Sequence, residues 1–395
     1  MIGRADAVVI GGGIMGASTA YFLSKLGFGQ IVLLEKKRLG AGATGYSAAN
    51  VRQHYSNEIA IRLAVRGVEM FSNANEELGG PAGFVQCGYM VIATERDEPA
   101  LRTLVPLQQS LGVQTRLLTP DEIAELYPAL DLEGITLGCL ESNSGYADPL
   151  LTVHTLVEAA RANDVRVYEG CQVLAIETDG DGISGVITGD GDISTRVVVN
   201  AAGPWADRVG SMVGIDYSLS FSREHEALFQ TPPELTALPV VADAEQRIFF
   251  RPQGTGQVLV GQSYPKEREP CDPETYDDRA DPPVVDSMVE RLARRVPALG
   301  HLAGVDYGGM LTTSYSGVYS ITDDWYPIVG GEPGLPGYFA AIGGSGHGFK
   351  IGPPIGESLA ATIAGDTPPL DLSPLARARF AEGRAFTTLW NGNRG

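Results

Sequence analysis

Three groups of residues in this 395-residue chain could carry chemistry. Gly11, Gly13 and Gly16 stand in G-x-G-x-x-G spacing directly after the apolar run Ala7-Val8-Val9-Ile10, and Glu35 closes a second apolar run, Ile31 to Leu34. Such a set can hold a dinucleotide. The first glycine permits a tight turn, the second admits a pyrophosphate to the backbone, and the third lets the next helix pack closely, while the acid takes a ribose diol. Arg52-Gln53-His54-Tyr55 follows a small, polar stretch from Gly40 to Asn50. That stretch is lean enough for backbone to lie against a large planar or polyanionic ligand; its alternative is a flexible linker. The third group is Gly343 to Lys350, a glycine loop that carries His347 and ends on a lysine.

These groups need strands and helices to place them. The pattern predicts strands at 7–10 and 31–34 with a helix between, from Ile14 to Leu26, its N-terminal N–H groups aimed at phosphate. Lys36-Lys37-Arg38 either recruits a 2′-phosphate or is solvated charge beside a plain ribose, and the repulsion from Glu35 favours the second. Helical spacing covers 59–78, 99–111, 149–163 and 286–296, and Thr119 with Glu122 forms a capping box around Pro120. Val197 to Gly203 is a second buried strand that ends on a glycine turn, before Pro204-Trp205. Tyr338 to Ile342 is a third, and Pro353 and Pro354 suit the first turn of the helix behind it. Residues 217–305 alternate like strands of an antiparallel sheet, with a charged, proline-rich interval at 266–286 read as a solvated surface excursion, a mobile lid being the alternative. The fold class is therefore α/β: a Rossmann-like domain with an inserted, mostly antiparallel α+β substrate domain. The expected division gives 1–80, 150–215 and 325–390 to the first and 81–149 and 216–324 to the second.

Composition narrows the partners. A formal charge of −19 argues against nucleic acid and anionic membranes, which need a basic face. The four cysteines lack C-x-x-C spacing, so neither a zinc ribbon nor a redox motif is expected. No apolar run is long enough to span a bilayer, the first strand begins within a few residues of Met1, and a cytoplasmic protein is expected.

Gly11 to Gly16 with Glu35, Ser47-Ala-Ala-Asn-Val-Arg-Gln-His-Tyr55, Val199-Asn-Ala-Ala-Gly-Pro-Trp205 and Gly344-Ser-Gly-His-Gly-Phe-Lys350 together resemble the FAD-dependent D-amino-acid oxidase superfamily. Within it the chain is most similar to the branch of the sarcosine oxidase β-subunit and the dimethylglycine and proline dehydrogenases. The resemblance, which implies a glutathione-reductase-like cofactor domain, implies FAD along Gly11, Gly13, Ile14, Met15 and Gly16, its ribose on Glu35 beside Lys36, and Val173 flanking the adenine. It implies a flavin ring between Ala43, Thr44, Ser47, Ala48, Ala49 and Asn50 on one side and Gly343, Gly344, Ser345, Gly346, His347, Gly348 and Lys350 on the other. Ala201, Ala202, Gly203 and Trp205 complete that cofactor wall.

The same resemblance implies a small amino-acid-like substrate held by its carboxylate on Arg52 and Lys350, the alternative for Arg52 being a structural salt bridge. Tyr319 matches an active-site tyrosine of monomeric sarcosine oxidases or is a core tyrosine, His347 is a flavin-pocket residue or a histidine bonded to backbone, and His54 is a candidate cation beside the reaction. Gly317-Val318 and Ala48-Ala49 stand where relatives carry a flavin-linking cysteine or histidine, so the FAD is expected to be non-covalent. The lysine that monomeric sarcosine oxidases use toward oxygen is replaced in Val258 to Ser263, and no residue of that strand is cationic. The implied reaction is oxidation of the C–N bond of an amino acid or N-substituted amino acid by hydride transfer to flavin N5, followed by imine hydrolysis. The alternative is a subunit of a heteromeric proline- or sarcosine-type dehydrogenase that passes electrons onward; a homo-oligomer is also compatible.

Overall fold

Strands Ala7–Ile10 and Ile31–Leu34 are apolar and buried at every position, which requires a sheet covered on both faces. In the computed structural model, which describes residues 3–387 apart from 233, 234, 236 and 264, they lie inside a six-stranded sheet. Its order is Ile328–Gly331, Tyr338–Ile342, Val198–Asn200, Ala7–Ile10, Ile31–Leu34, Arg166–Tyr168. Every neighbouring pair is parallel except the first. The register sets Ile10 beside both Leu34 and Asn200, and Asn200 beside Ala340. Four carboxyl ends therefore finish at one edge, the edge at which open α/β sheets take ligands.

Helix Ile14–Lys25 packs on one face of this sheet, between helices Gly348–Ala364 and Pro149–Ala162. Its approach depends on the glycine motif. Gly11 has φ of 113°, and a Cβ at Gly16 would sit 1.9 Å from the Gly11 carbonyl oxygen, so a side chain at either position would push helix and turn apart. A small four-stranded sheet, in the order Gly3–Arg4, Gly191–Ser194, Gly182–Thr188, Val173–Asp179, covers the opposite face.

The second sheet has eight strands, in the order Leu311–Ile321, Ser220–Gln230, Gln257–Gln262, Ile248–Pro252, Val240–Asp243, Tyr89–Ala93, Leu137–Glu141, Thr115–Leu118. It is antiparallel apart from the pairing of Val240–Asp243 with Tyr89–Ala93. Helix Pro282–Arg295 buries Val285, Met288, Val289 and Leu292 on one face, and helix Glu98–Ser110 packs Leu101, Leu104 and Val105 on the other. The strands of the six-stranded sheet all come from 1–80, 150–215 and 325–390, and those of the eight-stranded sheet from 81–149 and 216–324. We propose the domain division at those positions; residues 1, 2 and 388–390 lie outside the described residues.

Several elements depart from the sequence reading. The helix expected over 59–78 is Glu58–Ser72 followed by Ala74–Glu77, interrupted at Asn73, whose side-chain amide bonds the Glu69 carbonyl. The helix expected from 286 starts at Pro282. Helix Gly348–Ala364 begins five residues before Pro353, so both prolines fall in its second turn rather than its first. The carbonyl that Pro354 cannot serve, that of Lys350, abuts Gly67 of helix Glu58–Ser72, which holds Lys350 where the helix begins. Finally, the interval 265–281 is not free in solvent. It is a strap tied down by Lys266 to Glu224, Glu269 to Arg223 and His225, Glu274 to Lys36 and Arg208, and Asp278 to Tyr46.

Candidate active site

A long cleft follows the carboxyl edge of the six-stranded sheet and passes beneath the eight-stranded one, enclosing about 1810 Å³ with its open mouth included. Two helix N-termini face it, at Gly13 to Met15 and at Gly348 to Lys350. Each brings unsatisfied N–H groups and partial positive charge. At the first, Glu35 is fixed by backbone: its two carboxylate oxygens accept from Gly12 N and Lys37 N, both at 2.8 Å. Thr44 Oγ1 accepts from Ile14 N at 3.1 Å. Lys36 lines the cleft, but its ammonium lies 2.6 Å from Glu274 and 3.9 Å from the centroid of the Trp205 ring. A 2′-phosphate there would have to compete with both.

The far end of the cleft holds Arg52 and Lys350, only 2% and 4% exposed. Arg52 Nη1 donates to the His54 carbonyl at 2.7 Å, and its guanidinium lies 4.6 Å from the Tyr55 ring centroid. Arg52 Nη2 is buried and without a hydrogen-bond partner among the described residues. Burial and the Arg52 charge hold the Lys350 amine well below the usual lysine range. A buried guanidinium with an uncommitted N–H pair and a basic amine beside it make a receptor for a carboxylate.

The roof is the underside of the eight-stranded sheet. Glu224, Glu226, Phe249, Gly317 and Tyr319 all line the cleft there. The Tyr319 ring rests on Gly346, where a Cβ would come within 2.1 Å of Cε2; it is both a wall of the cleft and packing. Glu226 accepts from Tyr315 Oη at 2.6 Å, and burial pushes its carboxyl up to about 7. The strand Gln257–Gln262 has no cation, yet the fold supplies two nearby. Lys266 Nζ lies 2.6 Å from Glu224, and Arg251 Nε donates to the Ala48 carbonyl at 2.9 Å. Lys266 is neutralised by Glu224, and the Arg251 charge is opposed by Glu226.

Residues 6–362 match the family described as FAD dependent oxidoreductase. The chain belongs to this family. Among relatives, the mitochondrial sarcosine dehydrogenase of Mus musculus is 30% identical over 98% of this chain and 42% of its own length. The mitochondrial dimethylglycine dehydrogenase of Rattus norvegicus is 28% identical over 96% and 45%. The chain thus spans less than half the length of these curated relatives. The crystal structure of L-proline dehydrogenase from P. horikoshii superimposes with a TM-score of 0.88 at 27% identity, covering 97% of this chain and 99% of the other.

The residues fit the FAD that the family uses. The glycine turn and first helix would take the diphosphate, Glu35 the ribose, and the Gly343–Lys350 loop the ring; Asn50 Oδ1 is an orphaned buried acceptor on the same wall. Of the residues expected from sequence, Gly11, Gly13, Ile14, Met15, Glu35, Lys36, Ala43, Thr44, Ser47, Ala48, Ala49, Asn50, Val173, Ala201, Ala202, Gly203, Trp205, Gly343, Gly344, Ser345, Gly346, Gly348, Arg52, Lys350 and Tyr319 line the cleft. Gly16 does not; it packs the helix on the turn.

His54 and His347 do not line it either, which corrects their expected roles. His54 is fully buried beside Gln108 Nε2 at 3.2 Å, and burial with the Arg52 charge lowers it to about 3. It is neutral and cannot serve as the cation. His347 Nε2 bonds the Trp325 carbonyl at 2.7 Å and its ring packs on Tyr55 and Tyr326, so the backbone-bonded reading applies. Sequence reasoning missed Glu224, Glu226 and Glu141. A signal existed for each: acids at i and i+2 of one strand share a face, and Glu141 ends an otherwise apolar strand that is buried throughout. His225, Glu269 and Asp281 also cluster, but Arg223 bonds both carboxylates and already supplies the positive charge.

Proposed function

We propose that the protein oxidises the C–N bond of a small amino acid or N-substituted amino acid, held by its carboxylate between Arg52 and Lys350. The observation that carries this is the buried pair of basic side chains at one end of the cleft, in a chain whose formal charge is −19. Bound FAD supplies the two-electron acceptor for hydride from the carbon next to nitrogen. The chain supplies position: Arg52 and Lys350 fix the carboxylate, and Tyr319 and Phe249 close the roof above it. Fixing the reacting carbon in a near-attack position is worth several kcal/mol in typical enzymes, on the order of 7–11 at the limit. Water then hydrolyses the imine product. The named activities of the relatives, on sarcosine, dimethylglycine and proline, are all of this kind and support the reading.

The FAD is read as non-covalent. Ala48 and Ala49 and the Gly317-Val318 pair bring no nucleophile to the ring, and Cys171, the cysteine on the cleft wall, lies next to Glu35, where its N–H bonds the Glu35 carbonyl at 2.9 Å. Anaerobic mixing of the holoenzyme with sarcosine, proline, glycine and D-amino acids tests the substrate class. Bleaching of the flavin by at least one of these is expected. A panel without any bleaching, in protein that dithionite does reduce, would overturn the proposal.

A further inference from the structure

The strap 265–281 has two rooted ends and a tip that reaches the other domain. Both ends are fixed to the eight-stranded sheet through backbone. On the way out, Arg223 N donates to the Glu269 carbonyl at 2.8 Å, and Glu269 N donates to Ser222 Oγ at 3.1 Å. On the way back, Ser316 N donates to the Asp278 carbonyl at 2.7 Å, and Ser316 Oγ to the Arg279 carbonyl at 3.0 Å. Arg223 joins the two ends, since its guanidinium donates to the Glu269 and Asp281 carboxylates and to the Arg279 carbonyl.

The tip, residues 271–276, is held differently. Among the described residues its backbone–backbone hydrogen bonds close its own turn, with Thr275 N and Tyr276 N both on the Asp272 carbonyl. Side-chain charge makes the crossing. Glu274 accepts from Lys36 at 2.6 Å and from Arg208 at 2.9 Å, and Asp272 accepts from Arg208 at 3.2 Å. Just beyond the tip, Asp278 accepts from Tyr46 Oη at 3.1 Å. Lys36 follows Glu35, and Arg208 stands on the short helix behind the Gly203 turn. Lys36, Tyr46, Arg208 and Glu274 all line the cleft. The strap therefore lies across the mouth at the end that would take the adenosine and diphosphate.

We propose that residues 271–276 are a clasp over the ADP half of bound FAD, and that breaking the ion pairs of Asp272 and Glu274 admits and releases the cofactor. This rests on the ribose at Glu35 and the diphosphate at Gly11 to Gly16; it does not depend on the carboxylate clamp. Opening separates no strands. The backbone bonds at Glu269 and Asp278 stay, and three ion-pair contacts between partly exposed groups exchange for water. Such contacts are individually weak, so they open readily, and together they slow the motion. Lys36 keeps a partner when the clasp is open, because its ammonium also lies 3.9 Å from the Trp205 ring centroid.

Exchange of the bound FAD of the holoenzyme for an excess of a deazaflavin dinucleotide, followed by absorbance, measures release. Flavin fluorescence over a serial dilution gives Kd. The double variant Asp272→Asn, Glu274→Gln should release FAD about tenfold faster, the scale of three exposed ion-pair contacts. Its Kd should change far less, because the same contacts gate loading. Added NaCl should speed release from wild type and have less effect on the variant, since salt screens exposed pairs. Glu382→Gln, which removes an acid from an exposed pair with Arg384, should release FAD at the wild-type rate. Unchanged release in the double variant would overturn the clasp. Slower release would overturn it as well, by showing the two acids to act as repulsive charge beside the phosphates. A Kd that rises in proportion to release would make them plain contacts to FAD, and equal acceleration by Glu382→Gln would make the effect one of net charge; either result overturns the proposal.

Discussion

Replacing Lys350 by methionine separates binding from stability, because the two should move in opposite directions. Methionine matches the length of the lysine stem and suits a site that is 4% exposed. It removes one of two groups that would contact the substrate carboxylate, a loss worth about 2–5 kcal/mol when the contact is desolvated. The structure argues for the lower end. Lys350 must first gain a proton against burial and the Arg52 charge, and that cost is deducted from the binding it provides. A loss of about 2 kcal/mol corresponds to roughly thirtyfold in Kd.

Ligand-free stability should rise in the same variant. Lys350 has its pKa lowered on folding, so the unfolded chain binds more protons between the folded value and the ordinary 10.5. Wild type carries the full penalty below the folded pKa and sheds it as pH rises toward 10.5. The gain in Tm for Lys350→Met should therefore be largest at neutral pH or below and vanish near that value. Thermal melts of the ligand-free holoenzyme at several pH values, with Kd for furan-2-carboxylate read from the flavin spectrum, measure both. Unchanged Kd, or a Tm that falls at neutral pH, would refute the assignment of Lys350 as an uncompensated buried amine in the clamp.

Acid precipitation of the purified protein should release its yellow colour into the supernatant; colour retained in the pellet would show a covalent link at a residue other than Ala48, Ala49 or the Gly317-Val318 pair. Above about pH 7, where Glu226 is ionised, reduced enzyme should be reoxidised more slowly by oxygen than by a quinone or dye, since Lys266 and Arg251 are then opposed by Glu224 and Glu226 and leave no net positive charge at the roof. Stopped-flow oxidation as fast as in efficient flavin oxidases would refute that balance. Glu226→Gln should raise Tm above about pH 7 and leave it unchanged near pH 4. Burial raises the Glu226 pKa from 4.5 to about 7, so the folded state holds the extra proton in that window and wild-type stability falls as pH rises through it. A pH-independent difference would place the effect of the substitution in packing instead.

Much of the cofactor wall was legible because it is local. Gly11, Gly13, Gly16 and Glu35 belong to one strand, turn, helix and strand, and their separation along the chain dictates their separation in space. The same holds for the Gly343–Lys350 loop, where a strand end and a helix start are adjacent in sequence. Arg52 and Lys350 were legible as residue types from resemblance, but that both are buried at one cleft end depends on helix Gly348–Ala364 docking against helix Glu58–Ser72 at Gly67. Tertiary structure alone decided the rest. His54 and His347 have the chemistry of catalytic groups, and only their burial against Gln108 and Trp325 removes them from the cleft. Glu141, Glu226, Lys266 and Arg251 come from separate strands and a strap, and no periodicity along the chain records which of them face one another. Strand pairing sets that, through registers such as Glu226 beside Tyr315 and Gly261, and a pairing between segments tens of residues apart is settled by the packing of both sheets together.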